Sequence, residues 1–343
     1  MIKNYKRYLL LFVGSLIICS LTGCGQITRD DLSLWQNDAP AKNALISYVK
    51  DVTNKKSPNF IPVENRIAVF DLDGTLILET DPTYFDWALF EHRVLDDKNY
   101  QASKEQIKAA KASREKGIFP TLNANREKMV SEAYKGMTLE EFYAYIRAFM
   151  EEDQPGFIGM KRGDIFYKPM VEIVEYLVKN KFTVYICSGS DRLMVRPLIE
   201  KNLPYIPPRQ IIGSDSTILA SWQGNKDGLS YTFEKGDELI LGGKNLIKNL
   251  QMNKVSVIAQ EIGVQPVLAF GNSFSDASML NYTINGNKYK ALAFMLMCDD
   301  LVREYGNMKK AEEMRTVSAK YGWFPVSMRN DWKTIYGHNI KRR

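Results

Sequence analysis

A short apolar run that ends in two closely spaced carboxylates constrains this chain more than any other feature. Ile67-Ala68-Val69-Phe70 is followed at once by Asp71-Leu72-Asp73-Gly74-Thr75. Four consecutive apolar residues suit a strand buried on both faces, and Gly74 supplies the turn that ends it. Two carboxylates at the end of a core strand are costly to bury without a partner. A divalent cation is such a partner, and a shell of oxygen ligands favours Mg²⁺. An aspartate held there can also act as a covalent nucleophile toward a phosphoryl group. A plain Asp-Gly turn would need the same residues with no chemistry attached, so the rest of the chain must decide.

The rest of the chain alternates between strand-like and helical patterns. A strand is expected over about 66–71, and residues 80–165 then carry helical stretches only: Ser103–Lys116, Asn123–Lys135 and Leu139–Glu152. Thr138 and Glu141 form a capping-box pattern before the last of these. Lys168-Pro169 opens a helix to about Asn180, Phe182–Cys187 reads as a strand, and Arg192–Lys201 reads as a helix. A short strand over Gln210–Gly213 leads into a β-hairpin excursion over 215–243, and a helical stretch over about Lys244–Gly263 follows. Strands are expected at Val267–Phe270 and Leu292–Cys298, and helix again over about 300–320. This rhythm predicts an α/β fold with a mostly parallel sheet covered on both faces. In such sheets chemistry collects at the carboxyl ends of strands. Asp71, Ser188, Asn272 and Asp276 all follow strand-like runs.

The beginning of the chain reads as a targeting segment. Lys3, Lys6 and Arg7 precede an apolar stretch from Leu9 to Leu21 that is too short for a comfortable membrane span. Leu21-Thr22-Gly23-Cys24 resembles the lipobox of a bacterial lipoprotein, which predicts cleavage after residue 23 and lipidation of Cys24. The expected location is the cell envelope, outside the cytoplasm and lipid-anchored to a membrane without spanning it. The formal charge of +6 is partly a property of this segment. Without residues 1–23, 43 bases face 40 acids, leaving about +3. No basic stripe suggests a nucleic-acid partner. Residues 24–60 read as a tether with one helix around Lys42–Val52. Cys187 and Cys298 remain after processing and are expected as buried free thiols. The two histidines, His92 and His338, are too few for a histidine-rich zinc site.

Three further motifs accompany the aspartates. Ser188-Gly189-Ser190 offers a hydroxyl and backbone N–H groups before a helix, an arrangement that seats an anion or simply caps the helix. Lys254 precedes Ile262-Gly263, Pro266 and a strand ending at Phe270, with Lys244 and Lys248 as competing lysines. Gly271-Asn272-Ser273-Phe274-Ser275-Asp276 can complete the oxygen shell of a cation. In this order the motifs resemble the phosphatase side of the haloacid dehalogenase superfamily, over about residues 64–300. The run from 254 to 276 is similar to phosphoserine-phosphatase-like and acid-phosphatase-like members.

The resemblance implies a Rossmann-like core over 61–79 and 166–343 with a helical cap inserted over 80–165. It implies that Asp71 attacks phosphorus to form an aspartyl-phosphate. Asp73 protonates the leaving alcohol and then activates water. Ser188 and the Gly189 N–H hold the transferring oxygens, and Lys254 offsets their charge. Mg²⁺ is expected on the Asp71 carboxylate, the Asp73 carbonyl and a group from 271–276. Many relatives carry aspartate where this chain has Asn272, so Asp276 is expected to supply the charge with Asn272 assisting. Glu79 and Thr80 fall one residue short of the glutamate spacing of phosphoserine-specific relatives, so that specificity is not supported.

At the cap entrance stand Tyr84, Phe85, Trp87, Phe90, His92 and Arg93. Arg93 and Arg196 are candidates to bind a second anionic group of the substrate. The resulting expectation is a lipid-anchored, Mg²⁺-dependent hydrolase of small phosphomonoesters. A phosphotransferase of the same fold and an inactive phosphate-ester-binding lipoprotein are the competing readings.

Overall fold

A computed structural model describes residues 32–79 and 84–343. The expected signal peptide, the lipidation site Cys24 and Thr80 lie outside the described residues. Residues 32–343 fold as one unit. The first helix, α1 (Pro40–Thr53), starts on a proline, whose missing N–H costs nothing in a first turn. β1 (Ile67–Phe70) follows, buried at every position.

Four helices separate β1 from the rest of the sheet: α2 (Phe85–Leu95), α3 (Lys104–Lys116), α4 (Ala124–Glu132) and α5 (Leu139–Met150). Their starts are written in the sequence. Ser103 with Gln106, and Thr138 with Glu141, form reciprocal capping boxes. Asn123 caps α4 by accepting the Arg126 N–H. A two-residue strand, β2 (Phe157–Ile158), closes the insertion.

The α/β alternation then resumes with α6 (Lys168–Lys179), β3 (Thr183–Asp191), α7 (Arg192–Asn202), β4 (Ile211–Ala220), β5 (Leu239–Ile247) and α8 (Met252–Glu261). It continues with β6 (Leu268–Gly271), α9 (Ala277–Ile284), β7 (Leu292–Met297), α10 (Met308–Tyr321), β8 (Phe324–Ser327), α11 (Met328–Asp331) and β9 (Lys341–Arg342). The main sheet has seven strands in the order β5-β4-β3-β1-β6-β7-β8. Only the β4–β5 pair is antiparallel. The fold is therefore α/β, with a mostly parallel sheet and a helical insertion after the first strand. Phe70, Phe270, Phe294 and Phe324 sit in register across four neighbouring strands. The first three rings stack with centroids 4.2 and 4.8 Å apart, filling one face of the sheet.

Two expectations change. The stretch from Lys244 is not helical throughout. Asn245 and Ile247 pair with β4, and the helix begins only at Met252, after Gln251 takes a φ of 54° that breaks the chain direction. Helix α10 starts at Met308, because Asp300 holds the preceding loop by accepting the Val302 and Arg303 N–H groups. The aromatic tail supplies a seventh strand, β8, and then packs Trp332 against Trp35 and Tyr167.

The insertion is laced to the core at two places. Gly136 N–H donates to the Leu241 carbonyl (2.8 Å) and Leu241 N–H to the Met137 carbonyl (2.9 Å), so β5 extends into the insertion. At its other end β2 pairs with β9, and Arg343 N–H donates to the Gly156 carbonyl (2.8 Å). Cys187 and Cys298 are free thiols. Among the described residues no helix is long and apolar enough to cross a membrane.

Candidate active site

The carboxyl end of β1 lies at the centre of the sheet, between β3 and β6. Asp71 leaves β1 with its N–H donated to the Phe270 carbonyl (2.9 Å), which fixes it against the end of β6. The chain then turns at Gly74, where φ is 77° and a Cβ would collide with the Asn272 amide. Glycine is required there for conformation and for space.

Lys254, entirely buried on α8, donates to Asp71 Oδ1 (2.6 Å) and to Asp276 Oδ1 (2.7 Å). Asp276 Oδ2 accepts the N–H groups of Asn272 (3.1 Å) and Ser273 (3.2 Å). Both oxygens of Asp276 are thus committed to the protein, one to an ammonium. Direct coordination of a cation by Asp276 would have to compete with these donors. Asn272 is the nearer candidate: it lines the same cavity as Asp71 and Asp73, and its amide lies against Gly74. Asp73 Oδ1 is likewise buried without a partner, while its Oδ2 accepts from Ser190 Oγ (2.9 Å). The Asp71 carboxylate, the Asp73 carbonyl and the Asn272 amide oxygen form an oxygen-only set with one carboxylate, which suits Mg²⁺ keeping several waters. Among the described residues no three His, Cys, Asp or Glu side chains converge as a metal cluster.

Residues 68–281 match the model of the haloacid dehalogenase-like hydrolases. The chain belongs to that family. No curated protein matches this hydrolase significantly. A solved structure of a functionally unknown protein from Anaerococcus prevotii shares 16% identity, covers 87% of this chain and 97% of its own, and superposes with a TM-score of 0.51. It shows the same fold. A cytosolic 5'-nucleotidase IIIB bound to cytidine shares 12% identity over 87% of this chain and 90% of its own, with a TM-score of 0.49. A substrate-bound phosphoserine phosphatase shares 14% over 68% and 86%, with a TM-score of 0.36. Neither likeness bears on the substrate of this hydrolase.

A cavity of about 470 Å³ opens beside Asp71 and Asp73. Gly189 and Ser190 line it on the β3 side, and a Cβ at Gly189 would meet Leu250 Cδ2 at 2.6 Å. Ser188 stands behind this wall, entirely buried. Its Oγ accepts the Ser190 N–H (3.0 Å) and keeps its own proton to donate. The helix cap is Asp191, which accepts the Leu193 N–H (2.8 Å), so Ser190 is free to face Asp73.

The site perturbs the titration of all three central groups. Burial, reinforced by the Asp276 charge, raises Asp71 to about 7 against the opposing pull of Lys254. Burial and then the charges of Asp86 and Asp71 push Asp73 well above the carboxylate range. Burial alone would lower Lys254, but Asp276 and Asp71 outweigh it and hold the ammonium charged.

Two expected substrate contacts lie elsewhere. Arg93 stacks over Tyr100 (4.5 Å to the ring centre), pairs with Asp97 and donates to the Ala133 carbonyl (3.1 Å). Its charge is spent among the cap helices. Arg196 donates to Tyr143 Oη (3.3 Å) and borders a separate depression with Arg147 and Pro204. The cations that do line the cavity are Arg126, Lys248 and Lys310. Lys310 is held by both oxygens of Glu79 at 2.7 Å. No periodic or motif signal marks Arg126, which sits in a largely polar helix. His92 is structural, with Nε2 2.9 Å from Glu152 and Nδ1 2.8 Å from Tyr145 Oη.

Proposed function

We propose that this hydrolase is an exported, lipid-anchored phosphomonoesterase that works through an aspartyl-phosphate and requires Mg²⁺. The observation that carries the reading is the pairing of a lysine-clamped aspartate, Asp71, with an aspartate two residues on, Asp73, that has a raised proton affinity and one unpartnered oxygen. Lys254 fixes the Asp71 carboxylate and balances its charge. Asp71 attacks phosphorus, the P–O bond to the alcohol breaks, and Asp73 passes its proton to the leaving oxygen. Asp73 then takes a proton from water as the water attacks the aspartyl-phosphate, releasing phosphate and restoring Asp71. The Gly189–Ser190 wall of the cavity seats the transferring oxygens through its N–H groups, and the buried Ser188 braces that wall by accepting the Ser190 N–H. Mg²⁺, when bound by Asp71, the Asp73 carbonyl and Asn272, neutralises negative charge on the phosphoryl group.

The Leu21–Cys24 motif supports lipid anchoring, with the catalytic unit outside the cytoplasm. The decisive experiment is hydrolysis of p-nitrophenyl phosphate by protein lacking residues 1–23. Turnover that requires Mg²⁺ and stops with EDTA is expected. Full activity after EDTA would remove the metal from the reading, and no turnover of any phosphomonoester would remove the hydrolase.

A further inference from the structure

The cavity beside Asp71 is in the size range that encloses a whole small ligand, so the alcohol half of the substrate is enclosed as well. Arg126 faces that half from α4. Its guanidinium lies 4.8 Å over the ring of Trp87, and Trp87 is itself buried and anchored by donating to Ser113 Oγ (2.6 Å). The platform is therefore rigid. The hydrogen bonds of Arg126 are few. Nη1 reaches the Pro120 carbonyl at 3.4 Å, and the buried Nε makes no hydrogen bond. Its ion pair with Glu127 is long, at 3.9 Å, because Glu127 lies nearer Lys248 at 3.2 Å. Lys248 lines the same cavity through a single, longer ion pair, whereas Lys310 is held by both oxygens of Glu79 at 2.7 Å.

A guanidinium carries five donors in a fixed fork that fits carboxylate and phosphate. One stacked in place with donors unspent is preorganised for an anion. We propose that Arg126, supported by Lys248, recognises a second anionic group, a carboxylate or a further phosphate, on the alcohol half of the substrate. This rests on the phosphomonoesterase reading.

The test compares esters that differ only in that group: phosphoglycerate with glycerol phosphate, and a sugar bisphosphate with its monophosphate. The two pairs distinguish carboxylate from phosphate. With the full-length protein, kcat/KM is expected to favour the charged member by about tenfold or more, the scale of a charge-assisted hydrogen bond. Arg126→Ala should lower that ratio about 10- to 100-fold, and Arg126→Lys should restore part of it. Calorimetric binding to Asp71→Asn, which does not turn over, should rank the esters in the same order. That ranking without any hydrolysis by the native protein would keep the anion site and reject the hydrolase. A native ratio near one, or a ratio unchanged in an Arg126→Ala protein of normal melting temperature, overturns the proposal. So does a preference for a cationic ester such as phosphoethanolamine, which would assign the wall to Asp86.

Discussion

Lys254 Nζ stands 2.6 Å from Asp71 Oδ1 across 183 residues of sequence, and the same ammonium reaches Asp276 at 2.7 Å. Three charges are thereby locked in a site where each alone would be strongly unfavourable. The arrangement separates two aspartates that the sequence places on equal terms. Asp71 faces the cavity, and Asp276 faces the lysine.

Substitutions at the two ends of the 271–276 loop should therefore differ. Asp276→Asn removes half of the lysine clamp and should destabilise the fold by about 3–5 kcal/mol, the scale for breaking a buried ion pair. Asn272→Asp adds a charge where the amide is unpartnered and should tighten Mg²⁺ binding. Chemical denaturation and Mg²⁺ titration check the two. A metal affinity lost in Asp276→Asn with stability unchanged would make Asp276 a direct ligand.

Asp71→Asn should reduce turnover by at least ~10³-fold while the protein stays folded. Asp73→Asn should act through the leaving group, hurting alkyl phosphates more than p-nitrophenyl phosphate, whose alcohol needs no proton. Steady-state kinetics over a series of leaving groups measures this. Equal losses across the series would deny Asp73 the acid role.

Stability of the metal-free protein should fall as pH rises. Asp71 titrates at about 7 and Asp73 is also raised, so the folded state keeps protons that the unfolded chain has released. Their stabilisation is complete below about pH 4, the unfolded value, and is lost as pH passes through the folded values. Melting temperatures from about pH 5 to about pH 8 should decline, and Asp71→Asn should flatten the decline. Mg²⁺ binds the ionised form, so it should raise the melting temperature more at the upper end. A rising profile without metal would contradict the burial of these two carboxyl groups.

Cys24→Ser should release the protein from membranes or leave it unprocessed, with catalysis by the purified protein unchanged. Cell fractionation and incorporation of labelled fatty acid provide the readout. A membrane-bound, labelled Cys24→Ser protein would refute anchoring at that residue.

Much of the core was legible because its signals are local. Ile67–Phe70 is a continuous apolar run with a glycine stop, and the Thr138–Glu141 box marks its helix within four residues. Lys244–Ile247 was not, since its few residues fit either periodicity and only pairing with β4 makes them a strand. That Asp71 and Lys254 come together, with Asp73 beside the same cavity, could be read from motif order. The arginines could not. Arg93, Arg126 and Arg196 all sit on helices, and which one meets the cavity depends on how α2, α4 and α7 are placed around it. Asn249 was missed for the same reason. Its amide braces the Ser188 carbonyl (3.0 Å), a contact made as the segment after β5 passes the end of β3.

The double lacing of the insertion has a consequence for engineering this family. Residues 84–158 look like a transferable module, because they leave the core after one strand and return to it before the next helix. Two of their backbone ladders, however, are completed by Ile240–Leu241 and by Lys341–Arg343. A graft of the insertion alone onto another haloacid dehalogenase-like core would expose an unpaired strand edge at Phe157–Ile158 and strip Gly136 and Met137 of their partners. The transferable unit is discontinuous in three pieces: the helical insertion, the hairpin of β4 and β5, and the segment around β9. Chimeras that carry all three should inherit specificity together with a properly seated cap, while chimeras built by cutting only at the two linkers should misassemble.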